Sequence, residues 1–217
     1  MNKILQELQK YAYWVPALQR RLDHIRQMKQ LSWWREQKPR FQPLPHLLKQ
    51  KIPKGYTSEY GLSILVETGK HMGEMVKALR ESFGKVYSIK LSEKFAKRVR
   101  IYFRNCRNIS FLQGDRGNMV GELIQGIDQP TLSLFWLDGH WSEDQTAREK
   151  KSTPIMEELD HILRAKDLRH VILIDDARPS GKSEDYPPID ELTTFVHSLR
   201  RNIDVFVEDD IIRILPQ

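Results

Sequence analysis

From about residue 50 onward, short apolar runs alternate with stretches whose apolar positions recur every three or four residues. The first pattern predicts buried strands and the second amphipathic helices. Ser63-Ile64-Leu65-Val66-Glu67 is followed by helical periodicity over about 73–83. Val86-Tyr87-Ser88-Ile89 precedes a second such stretch, about 92–104, and Ile109-Ser110-Phe111-Leu112 a third around 118–124. Leu132 to Leu137 and Val171 to Ile174 are nearly continuous apolar runs, as expected of strands covered on both faces. Between them, Ser152 as N-cap and Pro154 in the first turn predict a helix over about 153–165. The chain closes with Val205-Phe206-Val207, an acidic turn Glu208-Asp209-Asp210, and Ile211 to Leu215, the pattern of a β-hairpin. Five βα units and this hairpin predict an α/β fold, a doubly wound, mainly parallel sheet of seven strands with an antiparallel C-terminal hairpin.

The first quarter differs. Ile4, Leu8, Tyr11, Val15, Leu18, Leu22 and Ile25 alternate spacings of four and three, one apolar face of a helix. Pro16 interrupts it, which leaves two helices or one kinked helix. Pro39, Pro43 and Pro45 then mark an irregular linker. The expected organisation is a helical arm and linker over 1–50 and an α/β domain over 51–217.

Composition narrows the function classes. Among 217 residues there is one cysteine, Cys106, so disulfide scaffolds and Cys-rich zinc modules are excluded. Hydrophobic residues at 40% and charged residues at 29% fit a soluble globular protein. No run of 18 apolar residues occurs, and the first residues lack the apolar stretch of a signal peptide, so a cytoplasmic location is expected. The net charge of +6 is unevenly placed. Residues 1–50 hold ten basic and three acidic side chains, a balance of +7, whereas 51–217 hold 25 and 26, a balance of −1. The basic excess therefore concerns the arm: packing on its own domain, a homodimer contact, or a peripheral membrane contact. Nucleic acid is a weaker expectation, because no recognisable binding module accompanies the charge.

In open α/β sheets ligands bind beyond the carboxyl ends of the strands. The first strand runs into Glu67-Thr68-Gly69-Lys70-His71-Met72-Gly73, whose glycines allow a tight turn or a close backbone approach. This is neither a dinucleotide fingerprint nor a phosphate-binding loop, since the spacing of both is absent. The third strand ends at Asp115, the fourth at Asp138-Gly139-His140 and the fifth at Asp175-Asp176-Ala177-Arg178. Acids at 67, 115, 138 and 175/176 on one edge repel unless a cation or a hydroxyl-rich ligand lies between them. Asp138, Asp175 and Asp176 offer hard oxygen ligands for Mg²⁺ or Ca²⁺. The alternative is that Asp175 and Asp176 cap the next segment and pair with Arg178. His140 can serve as a base, as a further ligand, or as a hydrogen-bonded loop histidine.

Taken in order, Leu65-Val66-Glu67-Thr68-Gly69, Tyr87-Ser88-Ile89, Leu137-Asp138-Gly139-His140 and Leu173-Ile174-Asp175-Asp176-Ala177-Arg178 resemble class I S-adenosylmethionine-dependent methyltransferases. The likeness is greatest to macrocin-type O-methyltransferases and their uncharacterised bacterial relatives, and it covers about 58–216. It implies a Rossmann-like sheet, S-adenosylmethionine as cofactor, and methyl transfer to a hydroxyl of a small or sugar-containing molecule, with a divalent metal. By position it implies that Glu67, Thr68, Gly69 and Gly73 hold the methionine part of the cofactor and that Asp115 approaches the adenine. Asp138 and His140 would then be catalytic, with Asp138 also lying beneath the cofactor and joining Asp175 and Asp176 around the metal. Three positions depart from the group's pattern. Lys90 stands where a glutamate usually accepts both ribose hydroxyls, Lys70 where a small hydroxyl residue is usual, and His140 where an acid is commoner. Lys70 is placed to pair with Glu67 or with the cofactor carboxylate. An ammonium only donates hydrogen bonds, so these lysines motivate an alternative: a non-catalytic binding or scaffold protein on a decayed methyltransferase fold. That alternative predicts tighter cofactor binding for Lys90→Glu.

Overall fold

The computed structural model describes residues 16–36, 44–69, 73–90, 93–127, 131–138, 154–165, 170–178, 180–181 and 187–217. It divides into two compact units, Met1–Lys51 and Ile52–Gln217.

In the first unit, α1 spans Pro16–Glu36 and a single turn, α2, spans His46–Lys49. Pro16 is the first residue of α1, where a missing N–H removes no helical hydrogen bond. Within the described residues it opens a helix, and that helix runs eleven residues past Ile25. Whether the apolar pattern before Pro16 forms a second helix lies outside the described residues.

The second unit begins with α3, Lys51–Tyr60, which the sequence reading had left within linker. Ile52, Tyr56 and Tyr60, spaced by four, place their side chains against one core cluster. Then follow β1 (Ile64–Thr68), α4 (Glu74–Leu79) with a 3₁₀ turn Arg80–Ser82, β2 (Lys85–Lys90) and α5 (Glu93–Tyr102). Next come β3 (Ile109–Gln113), α6 (Arg116–Gly126), β4 (Ser133–Asp138) and α7 (Pro154–Arg164). The chain ends with β5 (Val171–Asp175), α8 (Ile189–Leu199), β6 (Ile203–Glu208) and β7 (Ile211–Pro216).

The seven strands lie in the order β3-β2-β1-β4-β5-β7-β6. All pairs from β3 to β5 are parallel, and β7 pairs antiparallel with both β5 and β6, as the βα alternation and the final hairpin predict. The two-residue period of a strand splits the core between the faces. Val66, Ile89, Leu137 and Ile174 pack with Val120, Leu159 and Leu192 of α6, α7 and α8. Leu65, Val86, Trp136 and Leu173 pack with Val76, Leu79 and Val99 of α4 and α5. The hairpin closes through Asp209 and Asp210, at φ 54° and 63°, the paired left-handed residues of a two-residue turn.

Helices α6 and α7 approach closely because Gly117 and Gly121 carry no side chain. A Cβ on Gly117 would lie 2.6 Å from Glu157 Cγ, and one on Gly121 3.0 Å from the His161 ring. At the amino edge of the sheet, buried His170 accepts a hydrogen bond at Nδ1 from the Ser133 amide, 3.2 Å away. Burial lowers its pKa to about 4, so the ring is neutral at physiological pH.

Candidate functional site

The connections reverse direction between β1 and β4, which lie side by side in the sheet. That switch point opens a crevice at the carboxyl ends of the two strands. Thr68 and Gly69 end β1 there, and Asp138 ends β4. The turn after β1 demands glycine. Gly69 has φ 145° and Gly73, immediately before α4, has φ 73°. A Cβ on Gly73 would also stand 3.2 Å from the Phe103 ring. Lys70, between them, lies outside the described residues.

Adjacent side chains of β1 point to opposite faces, and their fates differ. Glu67 falls opposite Ser88 in the parallel register, and Lys90 is two residues further along on the same face. Ser88 Oγ donates to Glu67 Oε2 at 2.6 Å, and Lys90 Nζ donates to the same oxygen at 2.8 Å. Glu67 is 4% exposed and Lys90 1%, so a complete ion pair is buried at this corner. Lys90, not Lys70, is the described partner of Glu67. Thr68 faces the other way, beside Ile89 and Leu137 in the register. Its side chain is fully buried, and among the described residues Oγ1 has no hydrogen-bond partner.

Across the switch point, Asp138 is aligned directly with Asp175. Asp175 is half-buried, and its Oδ1 accepts the Asp176 amide at 2.9 Å. Asp176 has φ 59°, a left-handed conformation for a residue with a side chain. Arg178 reaches back to it, Nη2 to Oδ1 at 3.3 Å. Arg178 also holds the hairpin turn: its Nε donates to Asp210 Oδ2 and its amide to Asp210 Oδ1 at 2.9 Å. The Ala177 amide donates to the Asp210 carbonyl at 2.9 Å. The expected pairing with Arg178 thus occurs at Asp176, while Asp175 caps the following residue.

Asp115 is exposed at the N-terminus of α6, where its Oδ1 accepts the Asn118 amide at 3.2 Å. The cap accounts for an acid at this position and leaves its other oxygen open to solvent.

The acidic ends share one edge but do not meet at one point. From β3 to β5 there are four strand intervals, about 19 Å at the usual spacing. The chain itself supplies cations: Lys90 at the β1–β2 corner and Arg178 beyond β5. Among the described residues no group of three His, Cys, Asp or Glu side chains is arranged to hold a metal. His140 lies outside the described residues, as does the side chain of Asp138. Three partners escaped the sequence reading: Ser88, Lys90 as the mate of Glu67, and Asp210. The first two were signalled by their two-residue spacing on β2. The third required knowing that β7 docks on β5.

No family model matches the chain, and no curated protein matches its sequence. Solved structures do. A candidate methyltransferase from Streptococcus mutans in complex with SAH aligns at TM-score 0.54 and 12% identity, over 76% of this chain and 94% of that one. A candidate caffeoyl-CoA O-methyltransferase from Staphylococcus aureus aligns at TM-score 0.55 and 8% identity over the whole of both chains. An SAH-bound methyltransferase from Podospora anserina aligns at TM-score 0.54 and 14% identity, over 88% of this chain and 87% of that one. At such identities the likeness is one of architecture: the chain has the Rossmann-like fold shared by these methyltransferases.

Proposed function

We propose that the chain is a class I S-adenosylmethionine-dependent methyltransferase acting on a hydroxyl of a small or sugar-containing molecule. The observation that carries this reading is Thr68, a fully buried hydroxyl without a partner among the described residues, at the switch point of a methyltransferase-like sheet. Leaving a buried hydroxyl unsatisfied costs about 1–3 kcal/mol, a penalty that a polar ligand in the crevice relieves. The Gly69–Gly73 turn supports the same reading, since its glycines let a ligand approach the backbone closely. The caffeoyl-CoA O-methyltransferase neighbour is compatible with oxygen as the acceptor.

S-adenosylmethionine supplies a methyl group on a sulfonium, ready for direct displacement. The protein's contribution is alignment of the two reactants and acceptance of a proton. In this proposal Thr68 and the following turn hold the methionine end, and Asp115 lies toward the adenine. Asp138, ending β4 beside the crevice, orients the reacting centre, and His140 takes the hydroxyl proton at a ring nitrogen.

The ribose corner fits less well. Lys90 presents donors, already committed to Glu67, where a carboxylate acceptor is expected. Its absence weakens binding by about 1.5–3 kcal/mol, one to two decades. The described residues do not assemble a metal site, so no step is routed through a cation. Lys90→Glu, the obvious rescue, would set a second carboxylate against buried Glu67. The suitable variant is Glu67→Gln with Lys90→Glu, which keeps one acid at the corner.

Calorimetric titration with S-adenosylhomocysteine, with and without Mg²⁺, tests the reading. Binding below millimolar supports it, and a gain on adding Mg²⁺ supports cation involvement at Asp138, Asp175 and Asp176. No heat at millimolar ligand from either the natural chain or the double variant sinks the assignment.

A further inference from the structure

Helix α1 carries more apolar surface than its packing uses. Leu22, Leu31 and Trp34 are buried, yet Ile25, Met28 and Trp33 are exposed at 38, 46 and 48%. A helix needs one apolar stripe to pack, and α1 has a second. At about 100° per residue, Met28 and Trp33 lie roughly 60° and 80° to either side of Ile25. Arg21, Arg26, Lys29 and Arg35 are exposed around these side chains. The helix contains only two acids, Asp23 and Glu36.

We propose that this face of α1 docks on the surface of an anionic lipid bilayer, with the helix lying in the interfacial plane. Three possible occupants would use the residues differently. A second copy meeting through the same patch would bring Arg21, Arg26 and Lys29 against their own counterparts, an arrangement of like charges. Nucleic acid would engage the basic groups and leave Ile25 and Met28 without a role. An anionic bilayer engages both sets. Ile25 and Met28 enter the acyl boundary, and Trp33 sits at headgroup depth. The long basic side chains extend along the apolar surface to the phosphates. Spanning is not involved, since no described helix is long and apolar enough to cross a membrane. The +7 balance of residues 1–50 supplies the long-range attraction.

The experiment is co-sedimentation of the full chain with phosphatidylcholine vesicles carrying about one third phosphatidylglycerol, and with phosphatidylcholine alone. Retention is expected on the anionic vesicles only, falling with added salt. Arg21→Gln/Arg26→Gln/Lys29→Gln should weaken it roughly fivefold per charge removed. Ile25→Gln/Met28→Gln/Trp33→Gln should weaken it about tenfold or more, with circular dichroism unchanged. Brominated lipid provides a reading that needs no stripe variant: it should quench the natural protein more strongly than Trp33→Phe. Absence of retention on anionic vesicles overturns the proposal. So does undiminished retention of the stripe variant, which would assign a purely electrostatic polyanion site. Lipid-free self-association that the stripe variant abolishes, without vesicle binding by the natural chain, would assign the face to a second copy.

Discussion

Two corners of one sheet edge solve the same electrostatic problem in opposite ways. Between β1 and β2, Glu67 is neutralised by Lys90 with both groups almost fully buried. Beyond β5, Asp176 and Asp210 are neutralised by Arg178, whose side chain is 41% exposed. A buried pair has no water to replace a lost partner, so it behaves as one fixed unit. A surface arginine exchanges its partners for water at little cost. The β1–β2 corner is therefore permanent architecture. The β5 corner can open to an incoming group by displacing Arg178, and the substrate side of the crevice belongs there.

Breaking the buried pair should have the largest effect. Lys90→Met leaves Glu67 buried and uncompensated, with an expected loss of about 3–5 kcal/mol in urea unfolding. Adding Glu67→Leu should recover most of that loss, because an apolar pair of similar volume tolerates burial. If the single and double variants are equally unstable, the two residues do not act as a pair.

Acid offers a second way to separate the corners, once His170 is allowed for. Its folded pKa of about 4 lies below the unfolded 6.5. The unfolded chain therefore binds the extra proton between those values, and stability falls as pH drops through that window. The contribution fully present above pH 6.5 is about 3 kcal/mol, lost by pH 4. His170→Asn should flatten this slope in denaturation measured at successive pH values. An unchanged slope would assign the acid sensitivity elsewhere, with the strand-end carboxylates the next candidates.

Thr68→Val tests the crevice between the corners. Valine keeps the shape and removes the orphaned hydroxyl, so the unliganded protein should gain about 1 kcal/mol. Arg178→Ala should have the smallest effect, about 1 kcal/mol or less of lost stability, seen as a small decrease in Tm. A loss as large as that of Lys90→Met would erase the distinction between a fixed and an adjustable corner.

Most of the architecture was legible because each strand carries its burial as a run of consecutive apolar residues. Leu134 to Leu137 and Val171 to Ile174 are covered on both faces and read as such without tertiary information. Helix α3 escaped notice because Pro53 and Gly55 resemble linker, while Ile52, Tyr56 and Tyr60 reveal their face only against the core. Glu67 and the glycine turn were legible as a strand end. The partner of Glu67 was less so, because a lysine on a strand ordinarily reads as solvent-facing. Only the register, with Glu67 opposite Ser88, brings Lys90 to it. The acidic edge misled for a related reason. Sequence reveals which residues end strands, but the strand order spreads those ends over roughly 19 Å. The cations between them come from Lys90 and Arg178, which one-dimensional spacing does not connect to their partners.

The central claim is that a nucleoside-sulfur ligand occupies the switch point between β1 and β4 and satisfies Thr68. Its most direct test is the calorimetric affinity for S-adenosylhomocysteine of the natural chain beside Thr68→Val. The account predicts measurable binding by the natural chain and about tenfold weaker binding by the variant, despite the variant's greater stability. Equal affinities would contradict the placement of the ligand at Thr68, and no binding by either would contradict the methyltransferase reading itself.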